Sequence, residues 1–339
     1  MKRREFITLL GGAAASWPLA ARTQQLAMPV VGILNSAGDK WVAAFRKGLS
    51  DEGRVEGRNV AIELQSTEQY AEVPSLAAEL VQRQVAVIAA LGGPAATAAK
   101  AATATIPIVF SVGGDPVELG LVPNINRPGR NITGVTFFAK QLLQKQVGIL
   151  HDLLPKALVF GALINPNNWR HQGDAEEVQA AARTLGLELH VANAGSEHDL
   201  EAAFAGLVQR HAQALIIAGD AFFFRIGTRL VELAERHSLP AIFSTRELVD
   251  AGGLMSYAAS LAAAHRQAGV YVGRVLKGDK PGDLPIEQPS KGQRCASQQN
   301  WVADDAVGHS GQTHMVATLS GMSASLRFCC KSHRGEAVE

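Results

Sequence analysis

Residues 85–111 read VAVIAALGGPAATAAKAATATIPIVFS. Val85 to Leu91 is a short apolar run, the pattern of a strand buried on both faces. Gly92-Gly93-Pro94 ends it, and proline fits a helix only in the first turn. Ala95 to Ala104 holds the strongest helix former at most positions. Ile106 to Ser111 is a second buried strand. A strand, a helix and a strand in this order form a βαβ unit, which makes the strands parallel and the crossover right-handed.

The same alternation extends in both directions. Pro29 to Leu34 reads as a strand, Trp41 to Asp51 as a helix with apolar Val42, Phe45 and Leu49 on one face, Val60 to Leu64 as a strand and Val73 to Gln84 as a helix. Asn131 to Phe138 is a further strand that leaves this first set. A second set follows, with helices at 141–153, 173–185, 198–210 and 224–237. Between them lie strands at 158–164, 188–192, 214–218 and 241–244. Leu254 to Ala258 is a short strand, Leu261 to Lys277 a long helix closed by Gly278, and Pro281 to Pro289 an extended, Pro-rich stretch. Two sets of βα units predict an α/β protein of two doubly wound parallel-sheet lobes, each covered by helices on both faces.

Size and charge agree. A chain of 339 residues exceeds what one core usually organises. Lys and Arg total 32 against 31 Asp and Glu, a balance that points to no nucleic-acid surface. The first residues, MKRREFITLLGGAAASWPLAARTQQ, combine Lys2, Arg3 and Arg4 with an apolar run from Ile7 to Ala21. That run is shorter than the roughly 20 residues a bilayer needs, so residues 1–25 read as an export signal. Arg3-Arg4-Glu5-Phe6 resembles the twin-arginine type; an ordinary secretory signal or an N-terminal anchor is the alternative. The expected location is the periplasm.

Cysteine is confined to Cys295, Cys329 and Cys330, so the body has no disulfide framework. Composition changes after about Ser290. Residues 291–339 show no clear strand–helix alternation and read as an atypical, poorly ordered tail.

In open parallel sheets, ligands bind beyond the carboxyl ends of the strands. The residues there are Asn35 and Ser36; Gly93, Pro94 and Ala95; Ser111 and Asp115; Asn165; Asp220; and Tyr257. They are the candidate ligand-binding residues. Gly92-Gly93-Pro94 opens a helix whose free N–H groups and dipole favour an anion such as a carboxylate. Asp115 or Asp220 could pair an ammonium, and Phe222, Phe223 and Tyr257 could cover an apolar side chain. Each has a plainer reading: Asn165-Pro-Asn167 and Gly114-Asp-Pro116 are ordinary turns, and Phe222-Phe-Phe224 suits a lobe core. The sequence holds no nucleophile elbow, no phosphate-binding P-loop, no dinucleotide fingerprint and no His-Glu-x-x-His. The histidines of the body are scattered singly and read as solvated or satisfied. No metal, cofactor or catalytic residue is expected.

The order of several short stretches resembles the periplasmic solute-binding proteins of ABC transporters, in the branch with tryptophan- and other aromatic-amino-acid-binding receptors. They are Val31–Leu34, Ile106–Ser111 with Gly114-Asp-Pro116, Leu119–Val122, Asn131–Gly134, Ile164–Asn167, Ala251–Tyr257, Leu276-Lys-Gly278 and Asp283-Leu-Pro285. The resemblance covers about residues 1–290. It implies a type I periplasmic binding protein, a monomer whose lobes are joined by a three-crossing hinge near 137–138, 257–260 and 286–289. Lobe 1 would be 28–136 with 258–285, and lobe 2 would be 137–257. A small amino-acid-like or related organic solute would close the lobes and be delivered to an ABC permease, without catalysis. Members of the family usually continue past a Glu-Gln-Pro-x-Lys segment with a hydrophobic strand and a helix. Here Glu287-Gln-Pro-Ser-Lys291 runs into Gly292-Gln-Arg-Cys295. A frameshift near Lys291 would account for the change and would leave lobe 2 without an edge strand and helix. Two other functions fit the same fold: a ligand sensor coupled to a membrane signalling partner, and an exported α/β hydrolase.

Overall fold

The structure is a computed structural model that describes residues 28–67, 69–137, 139–288, 293–296, 302–304 and 314–316. The export signal expected at 1–25 and most of the tail lie outside the described residues. The chain from Val30 to Thr136 builds the first sheet. Its elements are β1 (Val30–Asn35), α1 (Val42–Asp51), β2 (Ala61–Ser66), α2 (Val73–Gln82), β3 (Val87–Leu91), α3 (Gly93–Ala102), β4 (Ile108–Val112) and β5 (Ile132–Thr136). All strand pairs are parallel, in the order β2-β1-β3-β4-β5.

Period-two alternation explains why both faces of this sheet are covered. Val87, Ala89 and Leu91 point to one side with Val31 and Ile33, and they pack on α1 and on a later helix through Phe45, Ala268 and Tyr271. Ile88 and Ala90 point to the other side with Ile108 and Phe110, and meet Leu80 of α2 and Ala95 and Ala99 of α3. Alanine side chains on α3 bring that helix close to the strands. Burial on both faces removes the polar alternation, which is why the strands read as unbroken apolar runs.

The second sheet repeats the plan with α4 (Ala139–Leu153), β6 (Val159–Ile164), α5 (His171–Thr184), β7 (Glu188–Asn193), α6 (Glu197–Gln209), β8 (Ala214–Ile217), α7 (Ala221–Arg225), α8 (Gly227–Arg236), β9 (Ala241–Phe243), α9 (Glu247–Asp250) and β10 (Met255–Ala258). Its parallel strands run β7-β6-β8-β9-β10. Leu163, Leu215, Ile217 and Phe243 pack on α6 and α8, while Phe160, Ala162, Ile216 and Ile242 pack on α4 and α5. The chain then returns through α10 (Leu261–Val275) to the first sheet. Here α10 lies on α1 so closely that a Cβ at Gly48 would run into the Arg266 carbonyl, and one at Gly269 into that of Phe45.

Three expectations change. The helix read at 224–237 is two helices, because Asp220 caps the Phe222 N–H and starts α7 early, and Ile226 then leaves helical geometry. The stretch at 281–289 is not wholly extended: Pro281–Asp283 forms a 3-10 turn, and Glu287 bridges back to Val135. The second sheet also has an edge strand beyond Lys291. β11 (Gln293–Ala296) pairs antiparallel with β10, Cys295 opposite Ser256. Two further short strands, β12 (Val302–Asp304) and β13 (His314–Val316), pair with each other.

Candidate functional site

Each sheet has the strand order 2-1-3-4-5 along its parallel strands, and such a sheet opens a crevice where neighbouring strands lead off in opposite directions. In the first sheet this switch point lies between β1 and β3. Ser36, just after β1, donates its N–H to the Leu91 carbonyl at 2.8 Å, and its hydroxyl accepts the Ala95 N–H of α3 at 3.3 Å. Gly92 caps α3 with φ +106°, and a Cβ there would strike Ser36 Oγ, so glycine is required twice over. The Gly93 N–H that follows has no intrahelical acceptor, as at any helix start.

In the second sheet the switch point lies between β6 and β8, and Asp220 occupies it with 3% exposure. Its carboxylate accepts from Asn165 Nδ2 at 2.9 Å, Asn168 Nδ2 at 2.7 Å and the Phe222 N–H at 2.9 Å. A fourth donor comes from the other lobe: Tyr70 Oη reaches Asp220 Oδ2 at 3.2 Å. The asparagines also shape their own loop. Asn165 Oδ1 accepts from Asn167 N and Asn168 Oδ1 from Arg170 N, and these turns carry Trp169 and Arg170 toward the first lobe. Arg170 grips buried Asp174 through Nη2 at 2.8 Å and Nε at 3.1 Å. Burial raises the Asp174 carboxyl above its ordinary range against the pull of Arg170, and the neighbouring Asp220 adds to the rise.

Between the two switch points lies a cavity of about 120 Å³. Its walls are largely apolar and aromatic, with Tyr70, Phe137, Trp169, Phe224 and Tyr257 among them. A second set of contacts joins the lobes beside it. Trp41 donates Nε1–H to Glu247 Oε1 at 3.0 Å and meets Phe224 edge-on, ring centroids 5.2 Å apart. Glu247 also accepts from the Thr245 hydroxyl.

Of the residues singled out from the sequence, the structure brings Ser36, Gly93, Pro94, Ser111, Asp220 and Tyr257 to this cavity. Four others stand behind or outside it. Asn35 donates to Asp39 and Ser66, Asn165 supports Asp220, and Ala95 is fully buried under the first sheet. The Asp115 carboxylate turns back on the Val117 and Glu118 N–H groups, whereas Asp220 lines the cavity. Phe222 and Phe223 enter the lobe core, and Phe224 takes the cavity wall.

Several wall residues escaped sequence reading. Tyr70 lies in the loop after β2, Gln146 within α4, and Trp169 and Arg170 just past the Asn-Pro-Asn turn. His265, which reads as a solvated or satisfied histidine, is 1% exposed on the cavity wall. Its Nδ1 faces the Leu261 carbonyl at 2.9 Å, and its Nε2 has no partner among the described residues. Ser111 Oγ and Gln146 Oε1 are likewise buried without partners among the described residues.

The family model described as ABC transporter substrate binding protein matches residues 30–299. A tyrosine-binding protein of Clostridioides difficile (strain R20291) is 26% identical over 249 residues, covering 73% of this chain and 71% of that protein. Solved structures share the fold at lower identity. A conserved domain protein from Vibrio cholerae is 23% identical with a TM-score of 0.71, covering 79% of this chain and 92% of its own. An ABC domain in complex with L-Trp from Streptococcus pneumonia is also 23% identical, with a TM-score of 0.69, covering 78% and 90%. The family match continues past Lys291 and takes in β11. Running from the first strand of one sheet to the edge strand of the other, it makes the chain a member of the ABC transporter substrate-binding protein family.

Proposed function

We propose that this chain is the extracytoplasmic receptor of an ABC importer that captures an aromatic amino acid between its lobes and presents it to a permease. The observation that carries the reading is the pairing of opposite recognition groups on one cavity. The Gly93 N–H at the start of α3 suits a carboxylate, Asp220 on the facing lobe suits an ammonium, and the aromatic walls suit a ring. The solute would enter between open lobes and displace Tyr70 from Asp220, and closure would then bury it. The tyrosine-binding relative and the L-Trp-bound structural neighbour support the choice of solute. Binding is reversible and makes no covalent bond. The charged n-region at Lys2, Arg3 and Arg4 supports export to the periplasm. Among the described residues no helix is long and apolar enough to cross a membrane.

Thermal melts of the purified chain with single amino acids test the reading. A ligand present at about a hundred times its dissociation constant adds roughly 2.7 kcal/mol to stability. Aromatic amino acids are expected to raise the midpoint by several degrees, and acidic or aliphatic ones to leave it unchanged. A melt that no aromatic amino acid moves would refute the choice of solute.

A further inference from the structure

Among the described residues, the cavity wall holds three buried side-chain atoms without a hydrogen-bond partner: His265 Nε2, Gln146 Oε1 and Ser111 Oγ. Their chemistry is lopsided. The Leu261 carbonyl can only accept, so His265 Nδ1 carries the proton and Nε2 presents a bare lone pair. Gln146 donates Nε2–H to the Tyr257 carbonyl at 2.8 Å, which fixes the amide orientation and leaves Oε1 as an acceptor. Ser111 can play either part. The cavity wall therefore holds acceptors without donors. His265 stands in apolar surroundings, with Leu261 beside it and the Trp41 ring centroid 6.2 Å away. The residue is buried, with 1% of it exposed. Burial also lowers its pKa to about 4, so it stays neutral and keeps its lone pair at neutral pH.

We propose that His265 is a specificity-determining residue that selects aromatic amino acids carrying an O–H or N–H on the ring over those with a plain hydrocarbon ring. This rests on the aromatic-amino-acid reading above and deepens it. A phenol or an indole supplies the hydrogen that Nε2 lacks. A phenyl ring fills the same space but leaves Nε2 buried and unpaired. The penalty for an unmet buried acceptor makes such sites reject analogues that lack the donor.

The test is calorimetric titration of the purified full chain, wild type, His265→Leu and His265→Gln, with L-tyrosine, L-tryptophan and L-phenylalanine. Wild type is expected to bind tyrosine or tryptophan at least about tenfold more tightly than phenylalanine. His265→Leu should bring the ratio close to one by weakening the donor-bearing solute, and His265→Gln, which restores an acceptor, should recover part of it. Circular dichroism melts confirm that each variant is folded. Should His265→Leu fail to fold, His265→Gln and wild type still decide. Phenylalanine binding as tightly as both others would overturn this inference while leaving the receptor reading intact. A preference that survives folded His265→Leu would also overturn it. Binding of none of the three overturns the aromatic-amino-acid reading, and this inference with it.

Discussion

Trp169, carried on the loop after β6, covers Gly93 at the start of α3 on the opposite lobe, and a Cβ on Gly93 would stand 2.6 Å from its Cε2. An indole from one sheet thus seats on a bare backbone turn of the other. The contact exists only when the lobes are together. Gly93→Ala should separate the two states. Alanine suits the first turn of a helix at least as well as glycine, so the lobe itself should melt no earlier. The closed form must push the Trp169 ring aside, so solute affinity should fall about tenfold or more. Titration beside a thermal melt checks the split; a variant that binds normally would mean the ring moves freely.

Asp220 makes the opposite prediction. It gathers donors from Asn165, Asn168, Phe222 and Tyr70, and three of these belong to its own lobe. Asp220→Ala strands them, and each buried donor left unmet costs on the order of 1–3 kcal/mol. Urea denaturation should show a loss of about 2–3 kcal/mol along with loss of binding. Tyr70→Phe deletes the cross-lobe bond to Asp220 and should leave the urea midpoint of the lobes nearly unchanged. Equal destabilisation by the two variants would contradict this division.

Trp41 joins the lobes through Glu247 and Phe224. Trp41→Phe keeps an aromatic ring at the edge-on contact and deletes the Nε1–H donor. Burial raises the Glu247 carboxyl, but the hydrogen bonds from Thr245 and Trp41 help to hold it below its ordinary range, so the variant should let it rise. The expected result is a few-fold weaker solute affinity and a more open average shape by small-angle scattering without solute. An unchanged scattering profile and affinity would show that this bond does not hold the lobes together.

His265 sets a slope of stability against pH. Burial lowers its pKa from 6.5 to about 4, against the Leu261 carbonyl, which favours the charged form. Between those values the unfolded chain binds the proton and the folded chain refuses it. The stability of the neutral ring is complete above about pH 6.5 and falls toward pH 4, by up to about 3 kcal/mol. Asp174 has the opposite sign: its raised carboxyl takes a proton early in the folded state, so acidification toward its ordinary 3.8 favours folding. Comparing wild type with His265→Gln cancels the Asp174 contribution. The variant should show a shallower loss of urea midpoint between pH 6.5 and 4, and parallel curves would refute the assignment.

The lobes were legible because their signal is local. Strands such as Val87–Leu91 and Ala214–Ile217 are buried on both faces, and the helices between them carry an apolar stripe. Errors fell where a side chain acts on backbone it does not adjoin in a regular pattern. Asp220 starts α7 early, and β11 exists because β10 offers it an edge. The site was half legible for the same reason. Loop residues at strand ends, such as Ser36, Gly93 and Asp220, follow from the rule for parallel sheets. Gln146 and His265 sit inside helices, and nothing in their neighbours' sequence marks one as facing a cleft.

By itself, then, the order of apolar runs, glycines and prolines determined two doubly wound sheets and which residues stand at the carboxyl ends of their strands. Periodicity and turn chemistry act over a few residues, so they can be read along the chain. Only the tertiary structure decided which strand-end residues share one cavity, that Asp220 rather than Asp115 faces it, and that His265 stands on its wall. Those facts depend on how two lobes, far apart in sequence, meet across the cleft, and no local pattern encodes that distance.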